Sequence, residues 1–301
     1  FAKSVVPVKD FLGMTLLEKD ETIRPETAVD SLRALKPAFT EMGQKYGYDS
    51  VALQRYLDWR GPCFTVSTAC SSAAKAMLAG QRLLQADVCD VVLVGGVDTL
   101  CSLTFNGFDC LESLSAERCR PFAQNRDGIN IGEAAALCLL TREVGPVALL
   151  GAGESSDAYH VSAPHPEGIG AEAAMRMALE QGGLQPGQVG YINLHGTGTR
   201  LNDSMEAKAV HRLFGDTVPC SYTKALTGHT LGAAGALEAA FCWLSLAHGR
   251  LPPHVWDGQA DPALPTLHWA HPGDTLKKRC LMSNSFAFGG NNVSLIIGDA
   301  P

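Results

Sequence analysis

The spacing of apolar and polar positions changes along the chain, and each change marks an element. Residues 91–94, Val-Val-Leu-Val within CDVVLVGGVD, are a short aliphatic run closed by Gly95 and Gly96, which predicts a strand buried on both faces. Residues 71–86 hold mostly Ala, Met and Leu and no proline, the pattern of a helix packed on nearly every side. Upstream, residues 63–68 (CFTVST) read as another strand, so strand, helix and strand succeed one another as in a βαβ unit. A second series starts after Glu143, with a strand at 147–150, a helix at 170–181 and a strand at 189–194 that ends in a His-Gly-Thr turn. A helix at about 232–247 and a strand at 292–297 complete it. The fold class is therefore α/β, in two halves (1–143 and 144–301) of mixed sheets around buried helices. Residues 1–60 do not follow the pattern: an apolar run at 5–17 precedes mixed helix and loop segments. They read as atypical, with segments missing, so the N-terminal half is expected to be incomplete.

Composition narrows the function classes. At 301 residues and 46% hydrophobic content, the chain has ample material for a buried core. A net charge of −7 with only 24 Lys and Arg argues against a nucleic-acid partner, although a local basic patch could dock an acidic protein. The ten cysteines are scattered, with no CxxC pair and no secretory leader, which predicts a reducing, cytoplasmic setting. Six of them (Cys63, Cys89, Cys101, Cys138, Cys242 and Cys280) lie among apolar or small residues and read as buried packing. No run of about eighteen unbroken apolar residues predicts a membrane span.

Cys70, in STACSS, stands where a predicted strand turns into a buried helix, a placement that exposes a nucleophile much as a nucleophile elbow does. A helix N-terminus favours thiolate over thiol and can polarise a thioester carbonyl. His195, in NLHGTGT, follows a strand at the carboxyl end where α/β sheets place ligands. His229, in TGHTLGAAG, precedes a helix rich in Gly and Ala, which another backbone can approach closely. One cysteine and two histidines, each on a small-residue loop, form a candidate catalytic set. The sequence offers no metal-ligand spacing.

TACSS, RPFAQNRDG, DAYH, HGTGT, TKALTGH and NSFAFGGNN occur in the order found in the elongating β-ketoacyl-(acyl carrier protein) synthases, and from about residue 61 onward the chain resembles that family. The resemblance implies a thiolase-like fold and an acyltransferase of fatty-acid or polyketide synthesis. Cys70 would accept an acyl group, and His195 and His229 would stabilise the enolate formed from malonyl-acyl carrier protein, as donors in an oxyanion hole do. It pairs Lys224 with Glu238, makes Phe288 a gating residue whose backbone N–H joins that of Cys70 at the acyl carbonyl, and assigns Thr197 and Thr199 to the phosphopantetheine arm. His160, Gly289 and Gly290 are further candidates for binding substrate or that arm. Ala287 and Asn291 depart from the usual gate motif, and a β-carbon at 287 is expected to restrict gate movement. No cofactor bound to the enzyme is implied, the phosphopantetheine arm being the substrate's carrier. The implied partners are an acyl carrier protein, with Arg118, Arg120 and Arg126 as docking candidates, and a second ketosynthase-like subunit in a homodimer or heterodimer. The wording of STACSSAAKA and SNSFAFGGNN is closer to the pigment-cluster type that makes aryl polyenes than to housekeeping enzymes. The alternative reading is a non-catalytic partner like a chain-length factor, against which the retained Cys70 and both histidines weigh.

Overall fold

The computed structural model describes residues 8–9, 15–17, 54 and 56–300, in two units, Phe1–Phe64 and Thr65–Pro301. Most of what the sequence implied for residues 1–60 lies outside the described residues. In the first unit, β1 (Val8–Lys9) pairs antiparallel with β2 (Thr15–Leu17).

The second unit begins at the turn into α1 (Ser72–Gln85), whose Ala73, Ala74, Met77, Leu78 and Leu84 are buried. β3 (Val91–Asp98) follows, then α2 (Ser102–Cys110) and β4 (Ala134–Thr141), which returns antiparallel to β3 over its whole length. The C-terminal series runs β5 (Val147–Ser156), α3 (Ile169–Gln181), β6 (Tyr191–Asn193), α4 (Arg200–Phe214), β7 (Pro219–Ser221), the single-turn α5 (Lys224–Thr227), α6 (Ala234–His248), β8 (His268–Trp269), β9 (Cys280–Ala287) and β10 (Asn291–Asp299). Six of these strands make one mixed sheet in the order β5-β10-β9-β6-β7-β8, antiparallel across β5-β10-β9 and parallel from β9 to β8.

Helices α1 and α6 lie between β3-β4 and the large sheet. Ala74, Met77, Ala236, Cys242, Val94 and Leu295 belong to one apolar cluster there, while α3 and α4 cover the sheet's other face through Met175, Ala178, Met205 and Val210. The α1–α6 crossing is close enough that a Cβ on Gly235 would stand 2.8 Å from the Ala74 Cβ, so glycine is required. The stretch Leu231–His248 is long and apolar enough to cross a membrane by length and composition alone, but it is 56% buried within the molecule and carries Glu238, paired with Lys224. Its hydrophobicity serves this crossing.

Three expectations are corrected. Residues 63–68 form no strand among the described residues: a strand is a ladder of successive pairings, and the segment shows a single bridge, between Thr68 and Cys70. β3 is not buried on both faces: of its residues only Val94 is buried, and on its partner strand Leu137 and Leu139 are exposed. Cys63 and Cys101 are exposed and Cys89 and Cys138 half-buried, leaving Cys242 and Cys280 as the buried members of that group. Cys101 caps α2, a helix that buries none of its residues, so its apolar neighbours do not enclose it.

Candidate active site

The turn that presents Cys70 is tight. Ala69 takes a left-handed φ of 51°, an uncommon conformation for a residue with a β-carbon, and the strain is held by Ser71 Oγ donating to the Thr68 carbonyl (2.8 Å) and Ser72 Oγ to the Ala69 carbonyl (2.6 Å). Cys70 thereby precedes the first residues of α1 with its side chain turned into the interior, where it is 7% exposed. Burial pushes its thiol up to about 12, against the opposing pull of Lys224 and the local backbone. The expectation that the helix N-terminus keeps this group as thiolate is therefore corrected: desolvation outweighs the dipole.

His195 leaves the end of β6, and two acidic residues of α4 set the shape of its loop. Glu206 accepts the backbone N–H groups of His195 (2.7 Å) and Gly196 (2.8 Å), and Asp203 those of Phe122 (2.7 Å), Thr197 (3.2 Å) and Gly198 (3.3 Å). Both carboxyls are fully buried and burial raises their pKa, Glu206 to about 7. Neither residue stood out in the sequence, although acidic residues three apart, in the first turns of a helix directly after HGTGT, are placed to reach back over that loop.

His229 is delivered by Gly228, whose φ of 72° and close approach to Gly132 exclude a side chain, and its own N–H donates to the Asn130 carbonyl at 2.6 Å. Its Nε2 lies 3.0 Å from Cys70 Sγ, and its ring meets that of His195 edge-on, centroids 5.3 Å apart. Lys224, from α5, is buried among them: it donates to the His195 carbonyl at 2.5 Å, sits 3.4 Å from His195 Nδ1 and is ion-paired with Glu238 of α6. An ammonium facing Nδ1 leaves the His195 proton on Nε2, pointing the donor away from Lys224. Burial first, then the Lys224 charge, lowers the pKa of both histidines well below the usual value, so both are neutral at pH 7. The thiol and the two imidazoles have ligand atoms within 4.8 Å of one another, a donor set a metal could use, but the proton fixed on His195 Nε2 opposes ligation there.

Cys70, His195 and His229 open onto a cavity of about 300 Å³, also lined by Phe108, Ile129, Thr197, Thr199, Asn202, Phe286 and Phe288. The hydroxyls of Thr197 and Thr199 are 2.9 Å apart on its wall. Phe288 stands on a single 3-10 turn (Phe288–Gly290), its ring 5.8 Å from that of Phe108. Ala287 is extended, φ −108° and ψ 159°, so its β-carbon imposes no strain in this position. His160 is exposed, with its Nδ1 facing the Ser162 N–H at 3.2 Å, and the cavity wall here is made by Ser162 and Pro164. Gly289 and Gly290 form the turn behind Phe288 without lining the cavity, and Gly290 accepts the Asp157 N–H at 2.9 Å. Of the basic docking candidates, Arg118 is exposed, Arg120 pairs with Glu117 at 2.9 Å, and Arg126 is buried against Asp261 at 2.5 Å, which removes Arg126 as a surface contact.

Comparison with known proteins adds an independent line. Residues 8–144 match the family model described as "Beta-ketoacyl synthase, N-terminal domain", and residues 147–256 the corresponding "C-terminal domain". Nodulation protein E of Rhizobium meliloti is 36% identical over 79% of this chain and 62% of its own length. 3-Oxoacyl-[acyl-carrier-protein] synthase 2 of the same organism is 37% identical over 79% of this chain and 61% of its own. The solved ketosynthase ApeO, in complex with its chain length factor ApeC, from Xenorhabdus doucetiae, superposes with a TM-score of 0.82 at 57% identity, covering 83% of this chain and 63% of that one. The chain thus spans somewhat less than two thirds of these relatives' length.

Proposed function

The chain belongs to the β-ketoacyl synthase family, with its thiolase-like α/β fold, and we propose that it catalyses the decarboxylative condensation of an acyl thioester with malonyl-acyl carrier protein. The observation that carries this reading is the meeting of a thiol with two neutral imidazoles around one cavity, His229 Nε2 lying 3.0 Å from Cys70 Sγ.

In the first half-reaction the Cys70 sulfur attacks the acyl carbonyl, the carrier's C–S bond breaks, and the thiol proton ends on the departing carrier thiol. In the second, the bond between the malonyl carboxylate and C2 breaks, carbon dioxide leaves, and the electron pair stays as an enolate. The Nε2–H groups of His195 and His229 meet the enolate oxygen as an oxyanion hole. The enolate carbon attacks the acyl-cysteine carbonyl, the C–S bond breaks, and Cys70 leaves with the electron pair as thiolate and takes a proton from water to restore the thiol. Neutral histidines suit this role, since each donates a hydrogen bond without losing a proton. Lys224, held by Glu238, keeps His195 in the donating tautomer. Phe288 closes the cavity, its backbone N–H joining that of Cys70 at the acyl carbonyl. Thr197 and Thr199 receive the phosphopantetheine arm.

The partners in this reading are an acyl carrier protein and a second ketosynthase-like subunit, and the setting is cytoplasmic. An identity of 57% to ApeO, against 37% to the 3-oxoacyl-[acyl-carrier-protein] synthase 2 relative, supports a specialised pathway of the aryl-polyene type over housekeeping synthesis. The retained Cys70, His195 and His229 weigh against a non-catalytic partner subunit.

The test measures two quantities on three single variants: labelled acyl transfer to the protein, and carbon dioxide release from malonyl-acyl carrier protein. Cys70→Ala abolishes loading and spares some decarboxylation. His195→Ala and His229→Ala keep loading and lose decarboxylation by roughly 10² to 10³. Histidine variants that lost loading yet released carbon dioxide at the parental rate would overturn the roles.

A further inference from the structure

The turn that carries Phe288 is tied to α1, the helix that follows Cys70, by a single polar link among the described residues. Lys75 of α1 donates from Nζ to Asn291 Oδ1 at 3.1 Å. The ammonium is itself aimed by Glu154 of β5, 3.5 Å away, and Glu154 is fixed by Arg82 at 2.6 Å. Asn291 stands where the turn enters β10, directly after Gly289 and Gly290, whose φ angles of 78° and 71° make them the pliant joint between Phe288 and the strand. The Asn291 side chain folds back over that joint, its amide nitrogen 3.2 Å from where a β-carbon of Gly289 would lie. Other ties of the turn lead elsewhere: Gly289 N–H donates to the Val161 carbonyl (2.7 Å), and the Gly290 carbonyl accepts the Asp157 N–H, both partners lying in the irregular segment between β5 and α3, and also accepts from Asn292 Nδ2 of β10 (3.2 Å).

We propose that the Lys75–Asn291 hydrogen bond is a latch that holds the Phe288 turn closed over the Cys70 cavity, so that Lys75 and Asn291 are positioning residues governing access to the thiol. The inference rests on the reading above only in that the guarded thiol is the one proposed to carry the acyl group. The latch ties the turn bearing Phe288, on one side of the cavity, to the helix that follows Cys70, on the other. Releasing it leaves β9, β10 and α1 in place, because their own ladders and packing do not involve this contact. Only the short glycine joint gains freedom.

Access is read directly by alkylation with N-ethylmaleimide, following the Cys70 peptide by mass spectrometry and normalising to Cys101 and Cys110, which are exposed and remote from the turn in sequence. Lys75→Met and Asn291→Ala each raise Cys70 labelling about ten- to a hundredfold, the gain expected on losing one partly buried charge-assisted hydrogen bond. The double variant labels no faster than the faster single one, and Asn291→Asp, which keeps the acceptor, labels no faster than the parent. Lys75→Met removes a charge and Asn291→Ala does not, so agreement between them separates access from a change in thiol reactivity. The proposal fails if the single variants label at the parental rate, if the double variant multiplies their effects, if Asn291→Asp behaves as Asn291→Ala, or if Cys101 and Cys110 speed up in parallel. Acyl uptake from an acyl carrier protein is measured on the same samples. Parental protein that takes up no acyl group while the variants label faster sinks the condensing reading and leaves the latch standing; normal uptake with unchanged labelling sinks the latch alone.

Discussion

Replacing Lys224 by Met tests the physics of the site more sharply than removing a reacting group. Lys224 and Glu238 are each 2% exposed, so neither is screened by water, and while Glu238 Oε1 pairs with Lys224, Oε2 has no hydrogen-bond partner among the described residues. Lys224→Met leaves a carboxyl in the core facing a methyl group, and breaking a buried pair from one side costs about 3–5 kcal/mol. For a domain of this size that corresponds to a fall in Tm of roughly 6–20 °C, at about 2–4 °C per kcal/mol. Removing both charges, as Lys224→Met with Glu238→Leu, replaces the pair by apolar volume and restores most of the loss. Activity follows a different course. The double variant still lacks the ammonium at His195 Nδ1, so its imidazole is free to take either tautomer and decarboxylation stays low even where stability has returned. The measurement is thermal or urea unfolding for the parent, both single variants and the double, with carbon dioxide release on each. A single variant within 1 kcal/mol of the parent, or a double variant that recovers decarboxylation together with stability, would refute the reasoning.

Other outcomes follow from the same geometry. Because burial and Lys224 hold His195 and His229 well below the usual histidine pKa, each gains a proton only at a pH well under 6.5, so neither histidine contributes an acid limb to decarboxylation between pH 6 and 7; a limb centred at 6.5 that persists in Glu206→Gln and is traced by histidine NMR to His195 or His229 would contradict this. With its thiol at about 12, Cys70 alkylates more slowly at pH 7.5 than exposed Cys101, whose pKa hydrogen bonds from Thr104 lower, and its rate climbs about tenfold per pH unit up to pH 10; peptide-resolved labelling across that range checks it. Gly235→Ala drives a methyl group to 2.8 Å from the Ala74 Cβ and backbone nitrogen, costing about 1–3 kcal/mol in urea unfolding, whereas Gly183→Ala, with no atom within 4 Å, meets no clash and loses stability only through its left-handed φ of 62°.

Much of this arrangement was legible from local pattern alone. Residue type and spacing were enough to place α1, α3, α6 and the strands at 147 and 292, because a continuous apolar run or a helical stripe records burial at the level of a single element. They also singled out Cys70, His195 and His229, since small residues around a reactive side chain mark a loop that must stay open to a ligand. The helix 200–214 escaped notice for the opposite reason: its buried face carries Asn202, Asp203 and Glu206, polar residues that satisfy the backbone of the HGTGT loop and so break the apolar stripe a helix usually shows.

What only the tertiary structure decided is which groups meet, and in what ionisation state. CFTVST has the composition of a strand, but a strand is a ladder of successive pairings with a neighbour, and the described residues show a single bridge there, between Thr68 and Cys70. The helix start beside Cys70 suggested a thiolate, yet the depth of the site, a property of α1, α5 and α6 packed together, reverses the balance. Local sequence carries propensity and the chemistry of each side chain. Charge state, pairing and access depend on the distance to residues more than a hundred positions away, as between Cys70 and His229, and those distances are set by packing.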